Sequence, residues 1–588
     1  MIIMSDFIFS TESVEKDFFK KKFSKIYNKS ISIKSVSTNY GELAFVENHY
    51  NGYKEYETEQ FICTVVGGPI LHFRNNCFIT DKDSNEGTKA IYQRWIVEDI
   101  IIWDKDISGP YVIIYFNKIN GDLKIITDMM SFIPLYENTK DNELILGTHI
   151  DVLSDIKNNE IDQISIADFI MSEVITYPFT AYKKIKQLQS GSTYSWSLKN
   201  SYKFKHEHYW LPKEPKEQYR LNDLSKKLRK GFLDYLNQAA QPNSKIGAFL
   251  SGGVDSRAIV SSLSKEIMVD SFIFVDNHNR ESRVAKKVAD KIDSHLTIQQ
   301  RDFKYYFDIL EPACDLIGLT SEYVHVHSYG LVESCNLDKY DGVFGGFLAD
   351  TFLKGHHIKR KNIPKYLQFL PIQERGSELN NVKLEYNTLI KNVIVDEVNK
   401  RRLKHRERVK KIRPNSKNEW FNIWPITMHN DTANIHGNRR LFKNFEPFTS
   451  SEIIKIGALA SQTQKLNNKL FHKAMKSLLI DSKYIPHANG TLPYYPWYIN
   501  TFIRFIYNVL RKIKFLKKEK NEGPWTDWEY LLSHQSSKII IDKNIKFLKK
   551  NIHSILKNNF NYQLSSESNI KLVEKRILIQ LGYHFSKK

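Results

Sequence analysis

The run Phe249-Leu-Ser-Gly-Gly-Val-Asp-Ser-Arg257 constrains this chain more than any other stretch. Apolar Ile246, Ala248, Phe249 and Leu250 lead into it, and Ala258, Ile259 and Leu263 follow at helical spacing. The pattern predicts strand, glycine turn, helix. Backbone N–H groups in such a turn, at the start of a helix, form a cradle for anions. The loop lacks the lysine of the GxxxxGK(S/T) phosphate loop, so chemistry at a γ-phosphate is not its natural use. A plain Gly-Gly turn between two core elements is the alternative. The strand–turn–helix setting favours the nucleotide reading.

The elements around the loop alternate. Beyond it come a strand at Ser271–Val275, a helix over Glu281–Ile292 with Val284, Val288 and Ile292 at i, i+4 and i+8, and strands at His295–Ile298 and Gly342–Phe344. Alternation of this kind implies a parallel sheet covered on both faces. Ligands of such sheets bind outside the carboxyl ends of the strands, where the glycine loop, Asp276 and Asp350 all fall. The first 210 or so residues differ. Short runs of β-branched and aromatic residues (108–116, 122–127, 143–146) are broken by Asn-Gly or Asp-Asn turns and read as strands.

Composition narrows the class. The 588 residues are 41% hydrophobic and 13% aromatic, enough for two or more globular domains with their own cores. No apolar run reaches the length of a membrane span, and Met1-Ile-Ile-Met4 passes at once to Ser5-Asp6, so no secretory signal is expected. Four scattered cysteines do not make a disulfide or zinc framework. A cytoplasmic protein with reduced thiols is the expectation. The net charge of +20 favours phosphate-bearing partners. The one dense basic run, 400–413, comes without any RNA-binding signature. It reads as a solvated or interdomain helix face rather than a nucleic-acid site, and the basic helix after 500 as packed on its own domain rather than on a membrane.

With the loop and the order of elements in place, the chain resembles the asparagine synthetase superfamily, which includes β-lactam synthetases and lasso-peptide cyclases. Asp128-Met-Met-Ser-Phe-Ile-Pro-Leu-Tyr136 is similar to that family's D-x-x-G-x-x-P-L-Y hairpin, with Ser131 in place of glycine. Ile185–Gly191 is similar to its I-x-x-L-x-P-G turn, and Tyr209-Trp-Leu-Pro212 to its Y-W-x-P ending. Glu281–Ala289 resembles E-x-x-x-A-x-x-V-A, Gly346-Phe-Leu-Ala-Asp350 resembles G-E-G-A-D, and Lys469–Ala474 resembles K-x-x-L-R-x-A.

The resemblance implies an N-terminal α+β Ntn-amidotransferase-like sandwich (1–212). An α/β domain with a parallel sheet, of the pyrophosphate-loop, adenine-nucleotide α-hydrolase-like kind, follows over 213–515. A basic helical insertion is expected at about 358–420 and a helical extension at 516–588. It further implies an ATP- and Mg²⁺-dependent carboxylate–amine ligase. Leu250, Ser251, Gly252, Gly253, Asp255, Ser256 and Val275 would hold the nucleotide, Asp255 and Asp350 the metal, and Asp255, Asp350 and Lys469 the chemistry. Its partners would be ATP, a carboxylate and an amine drawn from small molecules or peptides, with a peptide or protein partner also open.

Departures from the family pattern sharpen this. Glutamine-using relatives attack with a cysteine exposed by loss of Met1, whereas Ile2 follows here and a start at Met4 would expose Ser5. Glutaminase activity is therefore not expected. Phe347 replaces the glutamate of G-E-G-A-D, Ser450 the aspartate of F-L-D, and Pro486–Pro493 offers no counterpart of the lysine that meets the transferring phosphate. A shifted Lys469, Lys473 or His487 could supply that charge. Two other readings stay open: a catalytically degenerate nucleotide-binding interaction protein, and an RNA-modifying pyrophosphate-loop enzyme.

Overall fold

The computed structural model describes residues 6–587 apart from 13–16, 28–30, 139–142, 158, 200–202, 243, 264–266, 359–381, 514–522, 524 and 558–569. Expectations about Ile2, Met4 and Ser5, and about much of the insertion, lie outside the described residues.

In the N-terminal half, strand Phe61–Gly67 is buried at every position and Tyr111–Asn117 at all but the last. Strands with no wet face must be covered on both sides. They lie in a six-stranded antiparallel sheet that also holds Tyr56–Glu57, Asp122–Thr127, Ser192–Ser197 and Lys203–His208. A second antiparallel sheet of six packs against it, with Phe7–Ser10 and Gly41–Val46 near its centre. Phe7 and Phe9 enter the space between the sheets, where Phe9 meets Phe116 edge-on at 5.3 Å. Ile8 faces the other way, into the core that contains Phe19, Phe23 and Tyr27. The two-residue period of one strand thus separates two cores.

The second half is built on five parallel strands: β1 (Ile246–Phe249), β2 (Val269–Val275), β3 (His295–Gln300), β4 (Gly342–Phe344) and β5 (Asn444–Phe445). Their order is β3-β2-β1-β4-β5. The direction of winding reverses between β1 and β4, which opens a crevice at the carboxyl ends of those two strands. Helix Val254–Val260 follows β1, and helix Arg280–Lys291 joins β2 to β3. The latter opens on a reciprocal cap between Asn279 and Ser282 and buries Val284, Ala285, Val288 and Ala289, the face that the apolar spacing predicted.

The two halves share buried polar contacts. Asp6 accepts from Arg439 at 2.9 Å, from Arg440 at 2.7 and 2.9 Å, and from Thr148 at 2.7 Å. Ile426 donates its N–H to the Met130 carbonyl at 2.8 Å. The basic run sits on helix Asn392–Ile412. Its Arg401 reaches Asp162 at 2.6 Å, Arg402 reaches Asp168 at 3.2 Å, and buried Arg413 donates to the Pro212 carbonyl at 2.9 Å. These arginines tie the halves together instead of facing solvent.

Residues beyond 515 do not stand apart either. Helix Leu572–Ser586 places Arg576 on Glu322 at 2.6 Å and Tyr583 on Asp315 at 3.0 Å, while Gln163 donates to the Asn551 carbonyl at 2.8 Å. Helix Trp497–Lys512 turns Trp497, Asn500 and Arg504 to the cleft described below, while Tyr498, Phe502 and Ile506 on it and Ile513 just after it remain exposed. No helix among the described residues is long and apolar enough to cross a membrane.

Candidate functional site

The crevice at the carboxyl ends of β1 and β4 is a cleft of about 760 Å³. Leu250, Ser251, Gly253, Asp255 and Ser256 of the glycine loop line it, opposite Gly345, Gly346, Phe347 and Asp350 from the segment after β4. The loop is held open by its own side chains. Ser251 donates its N–H to Ser256 Oγ at 3.1 Å, and Gly253 donates to Ser251 Oγ at 3.1 Å. Gly252 turns away from the cleft and donates its N–H to Glu281 Oε1 at 2.8 Å. Helix Val254–Val260 has no side-chain cap, so its first N–H groups are left for another acceptor. Gly346 keeps this approach close: a Cβ there would lie 3.1 Å from that of Asp255, tight enough that one of the two would have to give.

Not every residue expected at the site is brought to it. Val275 is fully buried in a small core with Ile273 and Ala285, and its carbonyl accepts from Arg301 N–H at 2.8 Å. The cleft wall along β2 is Phe272, Ile273 and Phe274 instead. Lys469 starts helix Lys469–Met475 but does not reach the cleft, whose lining there is Asn467, Asn468, Phe471 and His472. Asp276 turns to Arg301 at 2.9 Å and to Thr526 at 3.0 Å. Arg257, the last residue of the glycine-loop run, is wholly buried. Its guanidinium donates to the carbonyls of Gly252, Ile485 and Pro486 at 3.0, 2.7 and 2.8 Å, and so clamps the segment carrying His487 against the glycine loop.

Two groups at the site escaped the sequence reading. The first is Lys354, one helical turn after Asp350 and nearly buried. Its Nζ lies 2.5 Å from Asp255 Oδ1 and 2.9 Å from Asp350 Oδ1. Burial pushes the Asp255 carboxyl up to about 6 despite Lys354, with Asp350 adding to the rise. For Asp350, burial is outweighed by Lys354 and the carboxyl is held below its usual range. The second is Glu446, at the carboxyl end of β5. It accepts from Phe347 N–H at 2.9 Å, and burial pushes it up to about 7. Its carboxylate stands against the segment in which Phe347 replaces a glutamate, and Gly345 has no room for a Cβ beside it. The Asp350–Lys354 spacing was the only available signal for Lys354. Glu446 lies four residues before Ser450, and nothing in that stretch of sequence hints that it faces the loop.

Asp255 and Asp350 have the oxygen donors that a hard divalent ion takes, at about 2.0–2.1 Å for magnesium. The position between them, however, is filled by the Lys354 ammonium. As arranged, the pair does not fit a bridging metal.

A layered amidotransferase-like sandwich joined to a parallel sheet, with a glycine loop and a cleft at the sheet's switch point, defines the architectural class. Two family models match: "Asparagine synthase" over residues 227–480 and "Glutamine amidotransferase domain" over 71–210. Together with two curated relatives, these matches support the asparagine synthetase superfamily. It is 24% identical over 304 residues to a putative glutamine-hydrolysing asparagine synthetase 2 of Methanocaldococcus jannaschii, covering 48% of this chain and 58% of that protein. It is 25% identical over 192 residues to glutamine-hydrolysing asparagine synthetase 1 of Bacillus subtilis, covering 32% of this chain and 29% of that protein. The matched stretches thus span less than two thirds of either relative. Among solved structures, the allosteric regulatory enzyme of purine biosynthesis aligns with a TM-score of 0.25 at 8% identity, over 50% of this chain and 80% of its own. Glutamine phosphoribosylpyrophosphate amidotransferase from B. subtilis aligns with a TM-score of 0.22 at 7% identity, over 50% and 90%. Overlaps this slight carry no argument.

Proposed function

We propose that this protein is an ATP-dependent ligase that activates a carboxylate as its adenylate and passes the acyl group to an amine, without drawing ammonia from glutamine. The observation that carries the reading is the glycine loop at the switch point, whose helix start lacks a cap and opens into the cleft.

Amide formation from a free carboxylate requires replacing a poor leaving group. The carboxylate oxygen attacks the α-phosphorus and pyrophosphate departs. The amine nitrogen then attacks the acyl carbon, AMP departs, and the amine loses a proton. The uncapped N–H groups at the start of helix Val254–Val260, with the Ser251 and Ser256 hydroxyls beside them, would receive the pyrophosphate, a preformed electrostatic cradle. Phe272 and Phe274 offer an apolar wall for a base. Glu446, with its carboxyl near neutrality, suits the proton acceptor that the amine needs. Because Asp255 and Asp350 already engage Lys354, no step is assigned to a metal between them.

Of the four cysteines, Cys63, Cys314 and Cys335 are buried, with burial pushing the Cys63 thiol up to about 12, whereas Cys77 is exposed and donates to Gln241 at 3.6 Å.

Incubation with ATP and a panel of carboxylates and amines, scored for AMP and pyrophosphate, tests the reading. AMP release that is indifferent to glutamine and lost in Asp255→Asn is expected. Release of ADP and phosphate would reject adenylation. Nucleotide binding without turnover on any pair would favour the second reading, a nucleotide-binding interaction protein, for which the lysine-free segment 486–493 speaks.

A further inference from the structure

Lys354 has a geometry that a structural ion pair does not require. It follows the short helix Ala349–Leu353 and is 6% exposed, with Nζ 4.4 Å from the centre of the Phe471 ring. The same ammonium bridges two carboxylates from different elements, Asp255 of the glycine loop and Asp350 one turn before it. Asp350 itself remains largely open to the cleft, its side chain 64% exposed. A latch between elements would be served by one carboxylate. Here two are gathered beside donors arranged for an anion, where bare carboxylates would repel phosphate.

One atom in contact with both oxygens occupies the volume a bridging ion needs. A magnesium–oxygen distance of about 2.0–2.1 Å leaves no room for an ammonium that stays in contact with the same oxygens. An ammonium also has three donors. With two directed at carboxylates, one is left for an oxygen arriving in the cleft.

We infer that Lys354 is the resident cation of this site. Its ammonium neutralises Asp255 and Asp350 and faces the anionic ligand of the glycine loop, so that the protein holds no divalent ion between the two carboxylates. The part of this that concerns the ligand rests on the nucleotide reading; the part that concerns the carboxylates does not. It also answers the missing lysine of 486–493. The positive charge enters from the segment after β4, not from Lys469, Lys473 or His487.

Manganese alone, without nucleotide, separates the two parts. Electron paramagnetic resonance of Mn²⁺ titrated with the full chain should show no ion held at the pair in wild type. Removing the ammonium leaves two uncompensated carboxylates, so Lys354→Met and Lys354→Ala should each gain one manganese site, at least about tenfold tighter than wild type. Adding Asp255→Asn to Lys354→Met should abolish it. Methionine keeps the stem on Phe471, so a folding defect in the alanine variant would not obscure the result. A manganese ion bound by wild type and lost in Asp255→Asn would overturn the inference, as would a failure of both lysine variants to gain a site.

The second arm is calorimetry with α,β-methylene ATP. Wild type should bind in EDTA to within about tenfold of its affinity in excess magnesium, and Lys354→Met should not bind in EDTA. Dependence of wild type on magnesium would overturn the ligand-facing role. No nucleotide binding under any condition, with the manganese results as expected, would sink the nucleotide reading while leaving the role of Lys354 between the carboxylates intact.

Discussion

Glu446 is the side chain whose chemistry is most tightly set by its surroundings. Burial raises its carboxyl to about 7, against the pull of the Phe347 N–H and the Asn444 amide. If it accepts the amine proton, it must be ionised to work, so turnover should fall as pH drops through about 7. Glu446→Gln retains the shape and an acceptor for Phe347 but cannot take a proton. Its expected rate loss is about 10²–10⁴-fold, together with disappearance of that acidic limb in a pH–rate profile. A variant with undiminished rate would remove Glu446 from the chemistry. Single residues also mark where the sequence was legible. The glycine loop is local, six residues whose spacing alone dictates a turn, and it could be read. Lys354 and Glu446 acquire meaning only when β4 and β5 are set beside β1, and no local pattern announces that. Ser131, in place of the family's glycine, sits at φ +59°. Its hairpin is held by Asp128, which accepts N–H groups from Met130, Phe132 and Ile133, so the motif survives the loss of glycine.

At the scale of elements, helix Asn392–Ile412 shows how composition misleads. Its basic run invites a nucleic-acid reading, yet its arginines and lysines divide by direction. Arg402 is nearly buried, with Nε on the Val382 carbonyl at 2.7 Å and Nη1 on Asp168 and Ser172. Lys400 and Lys410 form exposed pairs within one helical turn. Arg402→Ala strands a buried carboxylate and should cost about 3–5 kcal/mol. Lys400→Ala should cost less than about 0.5 kcal/mol. Denaturant unfolding of the two variants measures the difference, and equal losses would refute an interdomain clamp. The helix itself was foreseeable from a basic stretch with few strand signals. Which of its faces met the sandwich was not, because Asp162 and Asp168 lie more than two hundred residues away in sequence (on the order of a whole domain).

Across the whole molecule, Asp6 is the strongest polar tie between halves. Burial alone would raise its carboxyl, but Arg439 and Arg440 outweigh burial and hold it well below the ordinary range. A depressed carboxyl contributes stability that is complete above the unfolded value of about 3.9 and disappears as pH falls through the native value. Asp6→Asn leaves two buried guanidiniums without their counter-charge, at a cost of about 3–5 kcal/mol. Urea unfolding across pH should find a constant gap between wild type and variant above about pH 5, closing on further acidification. A gap that widens with acid would contradict the assignment. The parallel sheet was readable from the alternation of its elements and the N-terminal strands from their β-branched runs, while the sandwich they form came from the family resemblance. Their mutual placement was not, since it depends on a few ion pairs that no window of sequence contains.

The cleft has one further property, which concerns the order in which it comes into being. Its walls come from Leu250, Asp350, Glu446, His487 and Trp525, and Trp525 is steadied by neighbours that reach back to the end of β2, Thr526 on Asp276 and the Gly523 carbonyl on Asn279. On the ribosome the glycine loop therefore emerges long before the surface that encloses it. A ligand that binds only the finished cleft can stabilise only the finished chain. A product broken off before Trp525 would still contain every residue of the Asp6 tie and the parallel sheet, yet lack one wall of the cleft beside its glycine loop.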